Sequence, residues 1–141
     1  NQKKTFYFVK EESIPKLGKH WASGIGSFEK QHIINHKSKR FNIQDIDIDS
    51  IEIDFITFDS LIKEYEIKKI DSLQIDVEGA EYEILKTINF KNIEINTIQF
   101  ESKHFDGTFT VGHKLNLIKD KLIENGYKLT QLDEENILAK K

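Results

Sequence analysis

No cysteine and no methionine occur in this 141-residue chain, and proline and tryptophan occur once each. Without cysteine there is no disulfide framework and no thiolate metal site, so a cytoplasmic protein is expected. No apolar run approaches the ~20 residues that span a bilayer, and no signal-peptide pattern opens the chain; no membrane span is expected. An excess of either charge is also lacking. The net charge of -3 leaves no electrostatic footprint for nucleic acid. The one basic cluster, His36-Lys37-Ser38-Lys39-Arg40, reads as a solvated loop. Methionine is missing even at position 1, where Asn1 stands, and the expectation is a fragment or a trimmed chain. What is present, 38% hydrophobic and 32% charged residues, suits one globular domain with a modest core.

Hydrophobic periodicity divides the chain into short alternating elements. Residues 5–9 are aromatic and β-branched and predict a strand, whereas 11–40 have loop chemistry. Residues 43–49 and 51–56 alternate apolar and acidic positions, the period of a half-buried strand. Residues 58–65 fit a short helix with Thr57 or Asp59 as N-cap. Strands are predicted over 72–77 and 93–100, with a helix over 81–88 between them. Residues 113–125 form an amphipathic helix that Gly126 closes. Residues 127–132 and 136–139 flank Asp133-Glu134-Glu135 as a closing hairpin. This order implies an α/β fold with a mainly parallel sheet.

The most informative segment is Ile75-Asp76-Val77-Glu78-Gly79-Ala80-Glu81. An apolar strand ends in an acid, a glycine follows and a helix pattern begins at once. In open α/β sheets that junction is where ligands bind, outside the carboxyl ends of the strands. Gly79 allows a tight turn and close approach of backbone to a ligand. Asp76 and Glu78 share side-chain parity, and Glu101 ends the next predicted strand, where it can open onto the same crevice. Structural roles compete at each position. Asp76 can cap the helix, and Glu78 and Glu81 can stabilise its positive end.

Residues 71–86, D-S-L-Q-I-D-V-E-G-A-E-Y-E-I-L-K, resemble the signature of the FkbM family of S-adenosylmethionine-dependent O-methyltransferases. Three further segments resemble family elements in the same order: Ser23-Gly24-Ile25-Gly26-Ser27-Phe28, Ile56-Thr57-Phe58-Asp59-Ser60-Leu61 and Thr97-Ile98-Gln99-Phe100-Glu101. The resemblance implies a Rossmann-like class I methyltransferase sheet whose last strand runs antiparallel. It also implies S-adenosylmethionine as cofactor, with Asp76 and Gly79 at its site, and a small-molecule or glycan hydroxyl as acceptor. Residues 1–141 would then be a single partial domain lacking the N-terminal glycine-rich cofactor half, because Gly24-Ile25-Gly26 has neither a buried strand before it nor a clear helix after it.

Methyl transfer to an alcohol needs alignment of an oxygen nucleophile and a base for its proton. Asp76 is the first candidate, with Glu78, Glu101 and the loop residue His104 beside it. Acids so grouped can hold Mg²⁺ through oxygen ligands, but acids in a sequence are not a coordination sphere, and no metal ligand is assigned. Gln74 stands where the family usually has lysine, which removes a positive charge two residues from Asp76. That departure and the missing half leave a second reading open: a truncated, non-catalytic α/β binding module.

Overall fold

A computed structural model describes residues 2–17, 20–36 and 42–141, and Lys37 to Arg40 of the basic cluster lie outside them. It divides the chain into two compact units, one up to Phe55 and one from Ile56 to Lys141.

In the first unit β1 (Gln2–Val9) lies between β2 (Gly26–Ser27) and β3 (Ile48–Phe55), and both pairings are antiparallel. Val9 sits opposite Ile48, and these two pack with Ala22, Ile25, Ile33 and Ile43 in a small core. The helix α1 (Lys30–Asn35) contributes Ile33. Thus the segment expected as loop contains a short strand and a helix, both too brief for periodicity to reveal. Asp47 is buried beside this core. It accepts hydrogen bonds from Ser13 Oγ at 2.9 Å and the Gln44 N–H at 3.0 Å, and it pairs with Lys16. Burial pushes its carboxyl up, but the hydrogen bonds from Lys16, Gln44 and Ser13 outweigh that and hold it below the usual range.

Gly26 has a local steric reason. A Cβ there would overlap the tip of the Phe6 ring, far inside van der Waals contact. Gly26→Ala is therefore expected to cost about 1–3 kcal/mol, the usual range for overpacking. Thermal unfolding of the variant checks this, and an unchanged midpoint would contradict it.

The second unit carries a four-stranded sheet in the order β4 (Lys69–Ile75), β5 (Glu94–Glu101), β7 (Asn136–Lys140), β6 (Lys128–Gln131). β4 and β5 are parallel; β5–β7 and β7–β6 are antiparallel. The sheet is mixed, where alternation along the chain predicted a mainly parallel one. Direction is invisible to a period-2 pattern, which reads the same either way. The closing hairpin forms as expected, with β7 inserted between β5 and β6.

Three helices accompany this sheet: α2 (Phe58–Glu64), α3 (Glu81–Thr87) and α4 (His113–Glu124). Thr57 caps α2 by accepting the Ser60 N–H at 3.1 Å. Ile62, Leu85, Leu115, Ile118 and Leu122 from the helices bury against Ile75, Ile98, Phe100 and Ile137 of the sheet. Gly126 ends α4 with φ +88°, a conformation that favours glycine. Tyr127 follows, donating its hydroxyl to the Ile95 carbonyl at 2.6 Å, and burial pushes its pKa up to about 12.

Asp106 anchors the start of α4 by accepting the N–H groups of Gly112 at 2.7 Å, Lys114 at 2.8 Å and Leu115 at 3.4 Å. Desolvation raises its pKa, but those three bonds and the Lys114 charge outweigh it, so the carboxyl titrates below its ordinary value. A depressed folded pKa contributes stability that is complete above the unfolded value, near ~3.9, and lost as pH falls through the lower folded value. Asp106→Asn is accordingly expected to cost about 1 kcal/mol at neutral pH. The difference from the parent should shrink below pH ~4. Urea unfolding at pH 7 and pH 3 tests both parts, and a difference that persists in acid would refute the ionic contribution.

Candidate functional site

The parallel register of β4 and β5 builds the candidate site. Ile75 pairs with Phe100 as the last matched position. The next residue of each strand segment is an acid, so Asp76 and Glu101 emerge together at the carboxyl edge. One carboxylate oxygen from each of Asp76, Glu81 and Glu101 lies within 4.8 Å of the others. Sequence parity grouped Glu78 with Asp76 and Glu101; folding brings Glu81 into that group.

The turn that achieves this is unusual. Glu78 has φ +51° and Gly79 φ +105°, so two consecutive residues leave the ordinary backbone regions. A non-glycine residue there costs of order 1 kcal/mol and persists only where its surroundings enforce it. The Glu81 side chain is what enforces it. Its Oε1 accepts the Val77 N–H at 2.8 Å and its Oε2 the Gly79 N–H at 2.9 Å. Glu81 is 1% exposed, so these charge-assisted bonds are shielded from water. They close the strand end, the turn and the first helical residue into one ring.

Glu101 is 6% exposed. Its Oε1 pairs with Lys103 Nζ at 2.6 Å, while its buried Oε2 has no hydrogen-bond partner among the described residues. Burial pushes its pKa up, the neighbouring Glu78 and Asp76 charges add to that, and the Lys103 ammonium opposes it. Lys103 also reaches Glu135 Oε2 at 3.2 Å. Its pKa is lowered by desolvation but raised more by these two carboxylates, so it stays cationic. The 133–135 turn is thereby tied to the strand end, and Ser102 strengthens the link by donating its N–H and Oγ to the Glu135 carbonyl at 2.6 and 3.0 Å. Asp76, in contrast, is exposed and faces the solvent side of the cluster.

His104 is buried. Its Nδ1 accepts the Phe109 N–H at 2.9 Å, and its Nε2 lies 3.4 Å from Glu78 Oε2. A ring nitrogen that accepts a backbone N–H carries no proton, so the proton sits on Nε2, toward Glu78. Gln74 is exposed in β4 opposite Gln99 of β5. Lys103 carries no sequence signal of its own; it reaches Glu101 because the chain turns directly after β5. Gly24 has open space around its Cα and Gly26 is explained by Phe6. Among the described residues of the first unit, nothing places a ligand at that pair.

Acids gathered at the carboxyl edge of a parallel strand pair, beside a glycine turn into a helix, occupy the position at which open α/β sheets bind ligands. The family model described as the methyltransferase FkbM domain matches residues 10–129. The chain belongs to that family, and the domain is a methyltransferase domain. A search of curated proteins and a search of solved structures each returned no significant match. Among the described residues no helix is long and apolar enough to cross a membrane.

Proposed function

We propose that this domain transfers a methyl group from S-adenosylmethionine to a hydroxyl, on a sugar of a glycan or on a secondary metabolite, with a Rossmann-like sheet as scaffold. The observation that carries the reading is the placement of the Asp76 and Glu101 carboxylates together just past the last parallel pair, Ile75 with Phe100, in a chain of this family. The cofactor fits the donor set by charge. A sulfonium and an ammonium are cations, and the cluster offers three carboxylates. When bound, S-adenosylmethionine supplies an electrophilic methyl group.

The chain's own residues then divide the work. Exposed Asp76 holds the acceptor hydroxyl and takes its proton, which an alcohol must lose to become a good nucleophile. The Gly79 turn lets the cofactor approach the backbone, with Asp76 beside it. Glu101, fixed by Lys103, faces positive charge. His104 serves as a positioning residue, since its Nδ1 is already engaged by Phe109 and its Nε2 faces Glu78. The acid set, Glu78 included, excludes anionic acceptors by repulsion and suits neutral polyols.

The test is calorimetric binding of S-adenosylmethionine and S-adenosylhomocysteine to the purified protein, followed by labelled-methyl transfer to a panel of sugars and glycans. Binding of both and label in at least one hydroxyl are expected. Absence of both would replace this reading with that of a non-catalytic binding module.

A further inference from the structure

We infer that Asp76, Glu81 and Glu101 form a binding site for one hard divalent cation, of the calcium, manganese and magnesium class. The site goes beyond methyl transfer and stands without it.

The first ground is placement. Oxygens from three carboxylates lie within 4.8 Å of one another. Opposed ligands of a calcium ion, each at ~2.3–2.6 Å, span ~4.6–5.2 Å. The group can therefore share one ion with little movement of the chain, whereas magnesium, at ~2.0–2.1 Å, draws its ligands closer together.

The second is an unmet need. Acids clustered on a surface are ordinarily satisfied by water, but Glu81 is 1% and Glu101 6% exposed. Oε2 of Glu101 is buried with no hydrogen-bond partner among the described residues, although Oε1 of the same carboxylate is paired. A buried carboxylate oxygen is stable only when matched by a donor or a cation. Lys103 does not meet this need, because it approaches Oε1 and is shared with Glu135. Among the described residues, the ammonium paired with Glu101 is thus divided between two carboxylates.

The third is donor chemistry and access. The ligand atoms are all carboxylate oxygens, the set chosen by hard cations and not by zinc or copper. Glu81 already uses both oxygens to accept backbone N–H groups, and a carboxylate oxygen retains a second lone pair for an ion. Those bonds fix its orientation in advance. Asp76 is exposed and provides the entry side, where water completes the coordination.

The test is titration of the purified protein with Mn²⁺ without any cofactor or acceptor, following free Mn²⁺ by electron paramagnetic resonance. One ion per chain is expected, displaced by added Ca²⁺ or Mg²⁺. Asp76→Asn and Glu101→Gln should each weaken binding by at least about 10–100-fold, the cost of losing even an outer-shell partner, since each removes a direct carboxylate ligand. Asp120→Asn, an exposed acid on α4, should leave it unchanged. Circular dichroism confirms that each variant is folded, and Asp76, being exposed, provides a variant that keeps the core intact. No saturable Mn²⁺ binding, or binding that survives both substitutions, would overturn the site. Because no cofactor is present, either result leaves the methyl-transfer reading to its own test.

Discussion

Asparagine in place of Asp76 is expected to lower methyl transfer by about 10²–10⁴-fold, the range for loss of a positioned general base. The effect should fall on the turnover number. Asp76 is exposed, so folding should be unaffected. An amide keeps the shape and the hydrogen-bonding capacity but cannot take a proton at neutral pH. Initial rates with a saturating acceptor, compared with the thermal midpoint of the same preparation, separate the two effects. A variant with full activity would remove Asp76 from the chemistry and leave Glu101 as the only strand-end acid able to act. A variant that also melts early would reassign Asp76 to structure.

The second large effect is structural in origin. Glu81→Ala removes the carboxylate that accepts both the Val77 and Gly79 N–H groups. Hydrogen bonds to a charged group contribute about 1.5–3 kcal/mol each, and a buried donor left without a partner adds its own desolvation cost. A loss of roughly 3–5 kcal/mol is expected, large against the stability of a small domain. The turn at Glu78 and Gly79, held at φ +51° and +105°, should relax when the clamp is gone. Asp76 would then leave its place beside Glu101. Denaturant unfolding reports the first consequence, and hydrogen exchange at Gly79 and Val77 reports the second. Glu81→Gln distinguishes charge from shape. It retains one acceptor oxygen and should recover part of the stability, and equal losses in the two variants would show that shape contributes nothing.

The two predictions differ in how far the sequence foresaw them. Asp76 stood out because an apolar run, an acid, a glycine and a helix pattern occur in immediate succession, and that order has a defined place in open α/β sheets. Glu81 was visible only as a residue of the first helical turn. Nothing local indicates that its side chain folds back over the turn, because the positive φ values that bring Val77 and Gly79 N–H groups together arise only in the assembled chain. His104 shows a similar limit. Its occurrence after Glu101 is plain in the sequence, but the bond from the Phe109 N–H that decides which nitrogen holds the proton depends on the path of the 105–109 loop. The resemblance of residues 71–86 to the family signature carried further than any single residue, since the family match covers most of the chain.

By itself, the sequence determined the strands and helices of the second unit to within a few residues, the hairpin after Gly126, the family, and the position of the candidate site. Those features rest on local rules: period 2 or 3.6, caps, glycine at a positive φ. Tertiary structure alone decided that the sheet is mixed, that β7 enters between β5 and β6, that residues 11–36 carry a strand and a helix, and that Asp76, Glu81 and Glu101 share one small space. Each of these depends on pairing between segments distant in the chain. A strand's pattern of buried and exposed positions says which face is inward but not which neighbour it has or in which register. Here the register of Ile75 against Phe100 is what brings two separate acids together as a candidate site.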